Sequence, residues 1–154
     1  MFRKTLPFKE CFQTKQPVTA LGPNAHALSK IDLLVHACIH RIAHGRNTER
    51  NRLIWLYDIH LMVETMGDDE RNEFLNKVQQ RAVAVLCADA LETCQAIFNT
   101  RLPEGFLVKL KANFKNEPSA KLINAAKLRW AWEDMQSLGS ISEKVAFARE
   151  LLFC

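Results

Sequence analysis

From residue 29 onward the apolar positions return every third and fourth residue, the period of helices with one buried face. Ser29 opens the first such stretch, with Asp32 three residues on in a capping-box-like arrangement. Ile31, Leu34, Val35, Cys38, Ile39 and Ile42 follow as an amphipathic stripe, and Gly45 ends the helix. A polar loop, Arg46 to Asn51, leads to a second helix that reaches about Met66 and stops at Gly67. Its stretch Leu53 to Val63 is apolar on nearly every side, which predicts the buried centre of a bundle. Asp68 and Asp69 cap the next helical stretch, which runs to about Asn99 and is long enough that a break is expected near Gln79–Ala82. Pro103 suits the first turn of a helix through Phe114, and Pro118 starts another through about Leu138. Gly139 breaks that one, and Ser140 with Glu143 caps a last helix to the C-terminus.

Residues 1–28 differ. They carry Pro7, Pro17, Gly22 and Pro23 with no sustained helical period, and Pro17-Val-Thr-Ala-Leu-Gly22 reads as extended chain leading to a turn. No segment alternates convincingly with period two. The pattern predicts an all-α fold: a helical domain over 29–154, a single bundle of about six to seven helices, behind an irregular lead-in over 1–28.

Length and composition fit that picture. A chain of 154 residues, 48% hydrophobic and 25% charged, suits one core and excludes two full domains or wholesale disorder. The longest apolar run, Ala82 to Ala88, falls well short of the roughly 18–20 residues that cross a membrane. The N-terminus has a basic start but no apolar stretch behind it, so a cytoplasmic location without a membrane partner is expected. The five cysteines, Cys11, Cys38, Cys87, Cys94 and Cys154, are odd in number, widely spaced and free of Cys-x-x-Cys pairs; buried free thiols explain them better than disulfides.

Charge adds one asymmetry. Residues 101–129 hold seven basic side chains against two acidic ones, so the rest of the +4 chain sums to −1. Lys109, Lys111, Lys115 and Lys121 of this sector are candidate phosphate or anion contacts. Lysines scattered on helices are more often a solvated face, and nucleic acid is not an expected partner.

Candidate chemistry concentrates on the first two helices. His36, His40 and His44, four apart, form a row up one face, opposite the apolar stripe. Two histidines one turn apart can bind a transition metal if a third ligand arrives, and Asp58 or His60 could supply it. Position 37 is Ala, so the His-Glu-x-x-His pattern fails, and hydrogen-bonded interface histidines are the plainer reading. Asp58 has Ile54, Trp55, Leu61 and Met62 as helical neighbours, which places its carboxylate in partly apolar surroundings. It should then pair with a histidine of the row or with Arg52, locking the two helices together or facing a ligand cleft. No Gly-x-Ser-x-Gly elbow, Gly-x-Gly-x-x-Gly or phosphate-binding Gly-Lys-Ser/Thr loop occurs.

The succession Leu33-Leu-Val-His-Ala-Cys-Ile-His40, a short polar loop, then Arg52-Leu-Ile-Trp-Leu-Tyr-Asp-Ile-His-Leu61 resembles an uncharacterised nucleotidyltransferase family of bacteria. The lead-in Leu21 to Ser29, the run from Val85 to Pro103 and the ending Arg149 to Phe153 are similar to further segments of that family, so the likeness covers most of residues 17–153. The resemblance implies a two-part architecture in which an N-terminal α/β domain catalyses. That domain carries a Gly-Ser or Gly-Gly turn and an Asp-x-Asp that holds magnesium for attack on a nucleotide phosphate. The chain has no such pattern, so by this resemblance it is the helical C-terminal part: a fragment, a truncated product or a separate subunit.

Catalytic residues, magnesium and nucleoside triphosphate would then belong to the missing domain. His36, His40, His44, Arg52 and Asp58 would line the cleft or interface with it. The alternatives are a stand-alone helical interaction module and a metal-binding helical protein using His36, His40 and Asp58. A small helical ribonuclease is disfavoured, since Arg41 to His44 is too close and Arg52 to His60 too far for its Arg–His spacing.

Overall fold

The computed structural model describes residues 6–44, 51–112, 117–122, 135–136 and 138–146. Helix α1 (Phe8–Gln13) is followed by a minimal antiparallel pair, β1 (Gln16–Pro17) and β2 (His26–Ala27), with Gln16 opposite Ala27 and Pro17 opposite His26. A 3-10 turn at Thr19–Leu21 and Gly22, at φ +105°, reverse the chain between the two strands. Then come α2 (Lys30–His44), α3 (Leu53–Glu64), α4 (Asp68–Gln80), α5 (Ala84–Phe98), α6 (Phe106–Lys111) and a 3-10 helix at Pro118–Leu122. Residues 141–146 are helical as well. The fold is all-α apart from the two short strands. None of the described helices is long and apolar enough to cross a membrane.

Local chemistry places most boundaries. Ser29 Oγ accepts the Asp32 N–H at 3.1 Å and donates to the Asp32 carboxylate at 2.7 Å, which starts α2 as its sequence predicts. Glu70 reaches back to the Gly67 N–H at 2.9 Å at the start of α4. Ser140 and Glu143 cap the helical residues after Gly139 reciprocally: Ser140 Oγ accepts the Glu143 N–H at 3.2 Å, and Glu143 accepts the Gly139 and Ser140 N–H groups at 3.2 and 3.4 Å. The expected break falls at Arg81–Val83, where Ala82 adopts φ +52° and the Val83 N–H bonds the Val78 carbonyl at 3.0 Å. Asn99, also left-handed, ends α5.

Two expectations shift. Helix α1 lies inside the lead-in, where six residues with only Cys11 buried are too few to show a period. Helix α6 begins at Phe106, after a turn closed by the Phe106 N–H on the Pro103 carbonyl at 3.0 Å, not at Pro103. The expected ends at Gly45 and Phe114, most of the helix after Pro118, and Cys154 lie outside the described residues.

The larger correction concerns the centre. Helix α5, not α3, is the hub: it packs on α2, α3, α4, α6 and the 3-10 helix at Pro118–Leu122. Ala84, Val85, Leu86, Cys87, Ala88, Ala90, Leu91 and Cys94 are all buried. Small side chains at Ala84, Cys87, Ala88 and Ala90 let neighbours approach from several directions, which the bulkier side chains of α3 do not allow. Helix α3 buries only Leu56, Ile59 and Val63 and turns the rest of its apolar surface outward.

Candidate functional site

Helix α3 packs on both α2 and α5, which also touch each other, and its side chains fall into three sets. On the α2 flank, His36 and His40 make ring contact at 5.8 Å between centroids, as their four-residue spacing predicts. His40 meets Trp55 edge-on at 5.2 Å, and the Arg52 guanidinium lies 5.2 Å from the Trp55 centroid, within cation–π reach. His36 and Arg52 are exposed, while His40 and Trp55 are half-buried. Four of the sequence-predicted residues or their neighbours therefore come together as one ring-and-cation row. The side chain of His44, at the end of α2, lies outside the described residues.

On the α5 flank, His60 packs between Tyr57 at 5.9 Å and Phe98 at 5.3 Å, and its Nδ1 pairs with Thr100 Oγ1 at 2.8 Å. One turn on, Glu64 accepts the Arg101 backbone N–H at 2.6 Å and its Nε and Nη2 at 2.9 and 2.8 Å. The backbone and guanidinium donors of Arg101 hold the Glu64 carboxyl below its ordinary range. This flank pins the segment after α5 to α3.

The third set faces outward and holds Asp58. The expectation that Asp58 sits in partly buried surroundings, paired with a histidine or Arg52, is corrected here. Its side chain is exposed between Ile54 and Leu61, and it makes no hydrogen bond or ion pair among the described residues. The reason is angular: Leu56, Ile59 and Val63 take the core side of α3, and Asp58 lies on the opposite side. It does not join His36 and His40, and among the described residues no three His, Cys, Asp or Glu side chains gather as a metal-holding group.

The locks between helices are other residues. Arg41 is fully buried and donates from Nη1 to Asn51 and from Nη2 to Asp89 of α5. Asp32 accepts from Ser29 Oγ and Thr14 Oγ1 at 2.7 Å each and from Lys77 Nζ of α4 at 2.6 Å. Neither lock is readable from local spacing, since Arg41 and Asp89 are 48 residues apart and Asp32 and Lys77 are 45.

Three basic residues of the sector have described side chains. Lys109 is exposed on α6, but Lys111 pairs with Glu92 of α5 and Arg101 with Glu64. Lys115 and the side chain of Lys121 lie outside the described residues.

Compared with known proteins, the chain matches the family model described as an uncharacterised nucleotidyltransferase over residues 2–99. Neither a curated protein nor a solved structure matches it. The matched span runs from α1 through α5 and contains the histidine row, all three faces of α3 and both buried locks. With well over half its length matched, the chain belongs to the uncharacterised nucleotidyltransferase family.

Proposed function

We propose that this chain is the helical part of a nucleotidyltransferase assembly, packing beside an α/β catalytic domain and transferring no nucleotide by itself. The observation that carries the reading is where the carboxylates point. Every buried or half-buried carboxylate among the described residues already accepts hydrogen bonds from within the chain. Asp32 takes them from Thr14, Ser29 and Lys77, and Glu64 from Arg101. Glu70 is bonded by Lys30 and the Gly67 N–H, and Asp89 by Arg41. Glu117 receives the Val85 N–H at the start of α5 and the Ser119 hydroxyl.

Magnesium-assisted phosphoryl chemistry needs carboxylate oxygens free to face a metal and a polyphosphate. These carboxylates serve the fold, and among the described residues no three His, Cys, Asp or Glu side chains gather as a metal-holding group. In this reading the magnesium, the nucleoside triphosphate and the catalytic residues belong to the partner domain. The bundle supplies a rigid wall beside it.

Titration calorimetry on the full chain with ATP and magnesium tests this. The expected result is no binding in the micromolar range. Micromolar binding accompanied by magnesium-dependent release of pyrophosphate would overturn the proposal.

A further inference from the structure

Residues 6–28 lie on the bundle with little of themselves buried. Cys11 alone among them is buried, and it stands outside the contiguous core that runs from α2 to α6. Leu6 packs on that core only in part. Phe8 and Phe12, 80% and 53% exposed, turn to each other at 5.6 Å, and Lys15 Nζ lies 3.7 Å above the Phe12 ring. The bulkiest side chains of the segment therefore meet their own neighbours. A helix of six residues is far too short to hold itself in water, so α1 is helical only while docked.

Among the described residues, two polar contacts tie this segment to the helices. Thr14 Oγ1 donates to Asp32 Oδ2 at 2.7 Å, and Glu10 pairs with Arg81 just after α4. The Cys11 thiol sits beside Asp32 and Lys77, where burial and the Asp32 charge raise it. The bundle needs neither tie. Without Thr14, Asp32 keeps Lys77 on Oδ1 at 2.6 Å and Ser29 on Oδ2 at 2.7 Å, and water takes the freed position. Arg81 and Glu10 both reach solvent, so water replaces their pair at little cost. Releasing the segment opens no hole in the core and leaves no buried charge alone. Its free energy of opening therefore falls well below that of global unfolding.

We infer that residues 6–28 are a strap that docks and undocks on a folded bundle, latched by the Thr14 hydroxyl on Asp32. Closed, the strap covers the Asp32–Lys77 pair and the Cys11 thiol. Open, it gives solvent access to both while α2 to α6 stay packed. Thr14 is the stronger tie, since a hydrogen bond to a charged carboxylate outweighs a solvent-exposed ion pair. The strap is independent of the function proposed above, because Asp32 stays paired with Lys77 in either position.

The test is pulsed labelling of the full chain with a thiol reagent at pH 8, read cysteine by cysteine by mass spectrometry over rising urea. Cys11 should label at a rate nearly independent of low urea, while Cys38, Cys87 and Cys94 follow the steep slope of global unfolding. Thr14→Val should speed Cys11 about tenfold, the worth of a hydrogen bond to a charged group, and leave the three core thiols unchanged. Thr14→Ser keeps the hydroxyl and should keep the original rate. Arg81→Ala should speed Cys11 by less than about fivefold. A Cys11 rate that climbs with urea along the core slope would make the segment part of the bundle's cooperative unit and overturn the strap. Thr14→Val that leaves Cys11 unchanged would overturn the latch. Thr14→Val that speeds all four thiols together would show Thr14 holding the bundle itself, and would overturn both.

Discussion

A carboxylate buried as deeply as that of Asp32 persists only with donors on both oxygens. Burial alone would push its carboxyl up. The hydrogen bonds from Lys77, Ser29 and Thr14, with the charge of Lys77, outweigh burial and hold it below the ordinary carboxylate range. A carboxyl lowered in the folded state stabilises the fold fully above its unfolded pKa of about 4 and loses that contribution as pH falls through the folded value. Glu64 and Glu70, lowered by Arg101 and by Lys30, act in the same direction at the surface. Asp32→Asn is expected to cost about 2–3 kcal/mol at neutral pH, because Lys77 loses its partner and one buried acceptor becomes a donor. Urea unfolding of both proteins between pH 7 and pH 3 checks the sign. The two stability curves should converge as pH falls, and parallel curves would show that Asp32 is not ionised in the fold. Arg41 shares the burial but not the full satisfaction, since its Nε has no partner among the described residues.

At the scale of elements, the junction between α4 and α5 concentrates strain in one residue. Ala82 holds φ +52°, a conformation that costs a residue with a Cβ roughly 1–2 kcal/mol and glycine very little. Ala82→Gly should therefore stabilise the protein by roughly 0.5–1 kcal/mol, whereas Ala96→Gly, on the exposed side of α5, should cost about 1 kcal/mol. Denaturant midpoints of the two variants decide it; equal losses would mean that Ala82 is unstrained. The junction was legible because length and local composition announce it. The same holds for Ser29 with Asp32 and Ser140 with Glu143, where donor and acceptor lie three residues apart. The cap on α5 was not legible, because Glu117 reaches the Val85 N–H from 32 residues away. Nor was the exchange of roles between α3 and α5. Both helices are apolar nearly all round, and periodicity cannot say which side of such a helix meets the core. Asp58 was misplaced for that reason: the row Leu56, Ile59, Val63 and the row Ile54, Leu61 looked equally fit for burial. The contact of His36 with His40 needs one helix only, so spacing sufficed for it.

For the molecule as a whole, the question is whether the bundle built on α5 opens as one unit, and the thiols can report it. Cys38 of α2 and Cys87 and Cys94 of α5 are free and fully buried, and Cys94 donates to the Leu56 carbonyl of α3 at 3.3 Å. Burial pushes the Cys94 thiol up to about 12 and raises that of Cys87 well above the ordinary range, where the adjacent Cys38 adds to it. Thiolate is the reactive form, so at pH 8 these side chains are doubly protected, by lack of access and by lack of charge. Labelling with an aromatic disulfide reagent then requires opening of the core, and its rate follows the free energy of that opening. Cys38, Cys87 and Cys94 are expected to react with one common rate that rises with urea along the slope of global unfolding. Cys11, on the six-residue helix α1, should react earlier, because that helix buries no other side chain and can detach locally. Fast labelling of Cys94 with Cys38 and Cys87 still protected would show α3 leaving α5 on its own, and the bundle would then be two cooperative units instead of one.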